Sequence, residues 1–133
     1  SDAVVCQLDL LTSLANLVGE DVKGLDSQNQ LNTFLGKNKK GRTELILEAS
    51  SRTALRQGDW VLIPPYDGPA VNKMVNIELG NSKEYQLFNL KSDLAQVHNL
   101  AQSQPAKLKQ MIKTFNELQK GMPQKNIETL KLE

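Results

Sequence analysis

The chain has 133 residues, 39% apolar and 23% charged, with 16 basic against 15 acidic side chains and a formal net charge of +1. Thirty-seven residues are Leu, Ile, Val or Phe, well above the ~20% below which a chain stays disordered, so one domain-sized core is within reach. The charge balance offers no field for nucleic acid or an anionic membrane, no apolar run nears the ~18 residues of a membrane helix, and no charged-then-apolar leader opens the chain.

Chemistry is limited further by two single residues. One cysteine, Cys6, forms no internal disulfide, and Cys6 with His98 falls short of the four ligands a zinc site usually takes. A triad would have to use His98, and no nucleophile turn lies near it. The eight glycines are scattered, so there is no phosphate-cradling loop. Composition alone points to a binding or accessory domain.

In chain order, apolar residues at 8, 11, 14, 15 and 18 predict a helix with one buried stripe, ended by Gly19. Leu10 and Leu17 widen that stripe. Asp26-Ser27 is expected to cap a second helix, Gln28 to Leu35, with Leu31, Phe34 and Leu35 inward and Gly36 as its stop. Lys37 to Arg42 is a basic run, expected to be a solvated turn.

The middle predicts strands. Glu44–Glu48 is the first and Ser51–Arg56 the second; Gln57-Gly58-Asp59 turns into a third, Trp60–Ile63, closed by Pro64-Pro65. Residues 66–83, rich in Gly, Pro, Asn and Asp, form a long excursion of the kind that is often functional or mobile. Tyr85–Leu90 is the fourth strand. Pro105 opens a last helix with Leu108, Met111, Ile112, Phe115 and Leu118 on one face; Gly121 and Pro123 stop it, and 124–133 trail as a tail. The fold class is α+β: a small antiparallel sheet of about four strands packed against a C-terminal helix, with an N-terminal helical segment.

Several local signatures then occur in an ordered series. Asp9-Leu10-Leu11-Thr12-Ser13-Leu14-Ala15-Asn16-Leu17-Val18-Gly19 is followed by Leu25-Asp26-Ser27-Gln28-Asn29-Gln30-Leu31-Asn32-Thr33-Phe34-Leu35-Gly36. Arg42 and a strand ending in Glu48 follow, and then Ala54-Leu55-Arg56-Gln57-Gly58-Asp59-Trp60-Val61-Leu62-Ile63. Gln86-Leu87-Phe88-Asn89-Leu90 leads on to Asp93 and Asn99-Leu100-Ala101. Over roughly residues 3 to 120 this series resembles the C-terminal part of the arylsulfatase-type sulfatases of the alkaline-phosphatase-like superfamily. Val61, where the family usually has Lys, and Leu94-Ala95, where it has Pro-Gly, depart from the pattern.

The resemblance implies a C-terminal fragment of a bacterial sulfatase whose full-length form hydrolyses sulfate esters. It implies a formylglycine made within a C/S-x-P-x-R motif and a calcium ion, both in an N-terminal catalytic domain that this chain lacks. Cys6 is not followed by that motif, and Ser103-Gln104-Pro105-Ala106-Lys107 is its nearest match, with Lys in place of Arg. The fragment is therefore expected to carry no catalytic and no metal-binding residue, and to serve a structural, cleft-completing role. Residues 1–36 would pack on the absent catalytic domain and 37–123 would form the terminal subdomain. The partners implied are that domain in cis and a sulfated sugar or aryl ester, in a periplasmic or secreted parent. The exposed surplus of the first helix suggests a homo-oligomer. A free-standing, non-catalytic binding or interaction module with the same terminal fold is the alternative.

Individual residues keep two readings at this point. Asp26, Ser27 and Asn29 are either substrate-rim residues or helix caps. Trp60 is either a sugar platform or a core anchor on the face of Leu62. Arg56 and Asp59 make a local turn contact or touch a ligand, and His98 decorates the turn before Asn99.

Overall fold

A computed structural model describes residues 1–22, 26–49 and 52–120. The expected stop at Gly121 and Pro123, the tail 124–133 and the strand start at Ser51 lie outside these residues. Helix α1 spans Asp9–Leu17 and helix α2 Leu31–Phe34. Strands β1 (Glu44–Ala49), β2 (Arg52–Gln57) and β3 (Trp60–Ile63) follow, then β4 (Val71–Asn72), β5 (Ile77–Glu78), β6 (Gln86–Asn89) and helix α3 (Pro105–Lys120). The class is α+β.

The main sheet is antiparallel in the order β1-β2-β3-β6. Its register aligns Ile46 with Leu55, Leu55 with Leu62, and Leu62 with Leu87, so one row of aliphatic side chains crosses all four strands. Because side chains alternate along a strand, this row shares its face with Trp60. Met111 and Phe115 of α3 pack onto it, and Leu55, Leu62, Leu87 and Met111 are fully buried. Leu108, Ile112 and Leu118 complete the helix face as partly buried neighbours. Pro105 starts α3 where its missing N–H costs nothing.

Trp60 takes the core-anchor reading, but at the rim: it is only partly buried, and the Lys107 ammonium lies 5.5 Å from its ring centroid. The row on the opposite face runs Leu45, Arg56, Val61 and Phe88, and its last two members, Val61 on β3 and Phe88 on the edge strand β6, are buried as well. The excursion after β3 contains a small second sheet, β4 paired with β5, which the turn-rich composition concealed.

Two expectations are corrected. Helix α1 does not bury its leucine stripe: Leu8, Leu10, Leu11, Leu14, Leu17 and Val18 are exposed, and its buried residues are Asp9 and Ser13. The reason is its neighbour, a polar segment rather than an apolar sheet. Helix α2 is a single turn with Phe34 and Leu35 exposed rather than inward. Gly19 does stop α1, with φ at +88°, while the Glu20 N–H reaches back to the Ala15 carbonyl at 2.9 Å in a left-handed C-terminal cap.

Candidate functional site

The polar face of α1 organises the densest set of side-chain hydrogen bonds among the described residues. Asp9 sits in the first turn, where the helix N-terminus favours a carboxylate. Its Oδ2 accepts the Cys6 backbone N–H at 3.1 Å, while its own N–H donates to the Cys6 carbonyl at 3.0 Å. Its Oδ1 accepts the Gln28 N–H at 2.9 Å. The Arg42 guanidinium closes on the same carboxylate, with Nη2 at 2.5 Å and Nε at 2.9–3.0 Å. Both side chains are nearly inaccessible, 8% for Arg42 and 0% for Asp9.

Burial pushes the Asp9 carboxyl up. The Arg42 hydrogen bond and the Gln28 and Cys6 N–H groups outweigh it and hold the pKa down at about 2. The same carboxylate raises the Arg42 pKa. With its lone pairs taken by these donors, Asp9 has no capacity left to ligate a metal or to act as a base. Its chemistry is cohesion.

Further bonds extend the junction. Ser27 Oγ accepts from both the Thr12 N–H (3.1 Å) and the Thr12 hydroxyl (2.5 Å), and Ser13 Oγ accepts from the Gln30 N–H at 2.9 Å. Arg42 Nη2 also donates to the Asp26 carbonyl at 2.6 Å, and the Arg42 N–H donates to the Val4 carbonyl at 2.7 Å. Gly41 permits that last approach, because a Cβ there would meet the Val4 carbonyl oxygen at 2.1 Å. The N-terminal strap, α1, residues 26–30 and the entry to β1 are thus held at one point.

The three rim candidates are placed differently from one another. Asp26 and Ser27 line a groove of about 430 Å³ together with Arg42, Leu8 and Leu118. Asn29 is turned to α2, where its Oδ1 accepts the Leu31 N–H at 3.0 Å from just before the helix; the N-cap position is Gln30, with no side-chain cap bond, so Asp26-Ser27 do not cap α2 as expected. Arg56 Nε donates to the Gly58 carbonyl at 3.2 Å, a turn contact. Asp93 accepts the backbone N–H groups of Val97 and His98, which hold its pKa down, and His98 itself is exposed. Ser103, in the nearest match to the nucleophile motif, donates to the Leu100 carbonyl at 3.3 Å just before α3.

The basic run 37–42 was expected to be solvated, and its last residue is the exception. The signal available in the sequence was the minority polar stripe Asp9, Thr12 and Ser13 on a helix otherwise crowded with leucines.

No family model matches the chain. It is 33% identical over 113 residues to an N-acetylgalactosamine-6-O-sulfatase of Bacteroides thetaiotaomicron, an alignment covering 82% of this chain and 22% of that protein. It is 30% identical, with a TM-score of 0.82, to a Bacteroides thetaiotaomicron protein solved in work on the metabolism of multiple glycosaminoglycans. That match covers 89% of this chain and 25% of the other. A structure in complex with its substrate D-glucosamine-2-N,6-O-disulfate shares the fold alone, at 16% identity and a TM-score of 0.55 over 84% of this chain and 23% of that one. The chain spans about a fifth of the length of the curated relative it matches. With 33% identity along most of its length, and with the helix, sheet and terminal helix in the expected order, the chain belongs to the sulfatases and represents a C-terminal part of one.

Proposed function

We propose that the complete protein hydrolyses a sulfate ester on an amino sugar, and that this part serves as scaffold and cleft wall rather than as the source of nucleophile or metal. The observation carrying the proposal is the alignment to an N-acetylgalactosamine-6-O-sulfatase across 113 residues. Formylglycine and calcium belong to the rest of the polypeptide in this reading. The described residues contain no group of three or more His, Cys, Asp or Glu side chains placed to hold a metal, and Asp9 is fully committed to Arg42, Gln28 and Cys6. A hard cation takes ~6 or more oxygen ligands, and these residues do not fit that demand.

In the same reading the exposed leucines of α1 lie against the catalytic domain in cis, and Asp26 and Ser27 stand at the rim of the groove they line. The parent is periplasmic or secreted. The test is direct: the longer polypeptide is expected to release sulfate from 6-O-sulfated N-acetylgalactosamine. The 133-residue chain, with or without calcium, is expected to release none. Hydrolysis by the short chain that disappears on substitution of a residue within it would overturn the proposal, as would an inert longer polypeptide.

A further inference from the structure

Strand β1 stands at one edge of the main sheet and pairs on its inner side with β2. Thr43 and Gly58 continue that register, and the Gly58 N–H donates to the Thr43 carbonyl at 3.2 Å. Hydrogen-bonded positions alternate along an antiparallel ladder. Leu45 and Leu47 therefore turn their N–H and C=O groups toward β2, while Glu44 and Ile46 turn theirs outward. Arg42 belongs to the outward set, and its N–H is taken by the Val4 carbonyl at 2.7 Å. Among the described residues nothing takes up the outward groups of Glu44 and Ile46. The N-terminal strap thus begins a ladder on this edge that stops after one bond.

The groove of about 430 Å³ runs beside the open edge, with Glu44, Leu45 and Ile46 along it and apolar surface from Leu8 and Leu118. Its charge is negative. Arg42 is neutralised by Asp9, whereas Glu44 and the rim residue Asp26 are in no ion pair among the described residues. An apolar edge strand is a template for another strand, and natural sheets cover or blunt such edges. A second copy paired antiparallel about Ile46 would bring Glu44 opposite Glu48, and like charges directly opposite destabilise a cross-strand pair. The edge suits a foreign strand better than itself.

We infer that this edge receives a β-strand from the part of the same polypeptide outside these 133 residues, added to the four-stranded sheet beside β1. The inference rests on the reading of the chain as a C-terminal part of a longer sulfatase; the chain spans about a fifth of the curated relative it matches, which leaves ample polypeptide to supply a strand. In strand addition the main-chain bonds give affinity and alternate side chains give selectivity. The residue opposite Ile46 is apolar and shares its face with Leu118; the residue two positions along, opposite Glu44, is Lys or Arg. Such a strand extends the line begun by Val4 and leaves Asp26 and Ser27 at the rim.

Residue-resolved amide hydrogen exchange of the 133-residue chain and of the longer polypeptide tests it. In the short chain Glu44 and Ile46 are expected to exchange about tenfold or more faster than Leu45 and Leu47, whose N–H groups are held by β2. In the longer polypeptide Glu44 and Ile46 are expected to slow by about tenfold or more, and the two leucines much less. Glu44→Pro removes one outward N–H at the first residue of a strand, where proline is tolerated, and breaks no bond to β2. In the longer polypeptide it is expected to restore fast exchange at Ile46, and Glu44→Lys to do the same by charge alone; both leave Leu45 and Leu47 protected. Fast exchange at Glu44 and Ile46 in the longer polypeptide, slowing shared equally by all four residues, or an Ile46 rate unmoved by both variants would each overturn the pairing. Protection of Ile46 in the short chain that grows with concentration would assign the edge to a second copy and overturn it as well. Exchange needs no sulfate release, so this inference and the proposed hydrolysis fail separately.

Discussion

Asp9 and Arg42, 33 positions apart in the chain, meet in a buried fork with Nη2 to Oδ1 at 2.5 Å. Arg42 also holds the carbonyls of Asp26, through its side chain, and of Val4, through its N–H. One ion pair therefore fixes a helix, a strap and the segment leading to α2 onto the entrance of β1. Removing one partner of a buried pair leaves an uncompensated charge, which typically costs 3–5 kcal/mol. Asp9→Leu and Arg42→Met are each expected to cost about that much in denaturant unfolding. The double variant Asp9→Leu with Arg42→Met is expected to recover part of the loss. Additive losses would show that the pair is not coupled.

The same pair sets an acid limit. The Asp9 pKa is lowered from 3.8 to about 2 in the folded chain. A depressed carboxylate contributes stability that is fully present above its unfolded value and is lost as pH falls through the folded one. Stability is therefore expected to decline between about pH 4 and pH 2, and this part of the decline should be missing in Asp9→Asn. Thermal midpoints of both proteins across that range measure it. Parallel curves would assign the acid sensitivity to other carboxylates.

In the core, Phe115 is 5% exposed and packs on the Leu55–Leu62–Leu87 row, so Phe115→Ala is expected to cost about 3–5 kcal/mol. Trp60 lies at the rim beneath Lys107 and already exposes part of its ring, so Trp60→Ala should cost distinctly less, about 1–3 kcal/mol. Equal losses would place the indole as deep in the interface as Phe115.

The sheet and α3 were legible because their signals are local and periodic: Trp60–Ile63 matches its predicted bounds, and the α3 face falls on Met111 and Phe115 as spaced. Helix α1 was legible as a helix but not in its orientation. Periodicity shows which residues share a face and says nothing about whether a protein neighbour or solvent meets it. The Asp9–Arg42 pair escaped because a contact between distant residues leaves no mark in spacing, and Arg42 closes a run that reads as a solvated turn. The β4–β5 hairpin escaped because strands of two residues carry no alternation.

The outer face of α1 supports the last expectation. Leu11 and Leu14 are 53% and 55% exposed, with Leu8, Leu10, Leu17 and Val18 open beside them. Contiguous apolar patches beyond a few hundred Å² tend to be covered by association, and at ~25 cal/mol per Å² a patch of ~400 Å² would contribute roughly 10 kcal/mol before association costs. In the complete protein the catalytic domain is proposed to cover this face; for the chain alone, a second copy is the available cover. Light scattering at micromolar concentration is thus expected to show more than a 14.8 kDa monomer, together with binding of a hydrophobic dye. Because both leucines point outward, Leu11→Lys and Leu14→Lys should leave the denaturant midpoint within the ~0.5 kcal/mol usual for surface changes while dissolving the assembly and reducing dye binding. A monomeric parent chain that binds no dye would refute the association. Lysine variants that unfold would show instead that the leucines face inward.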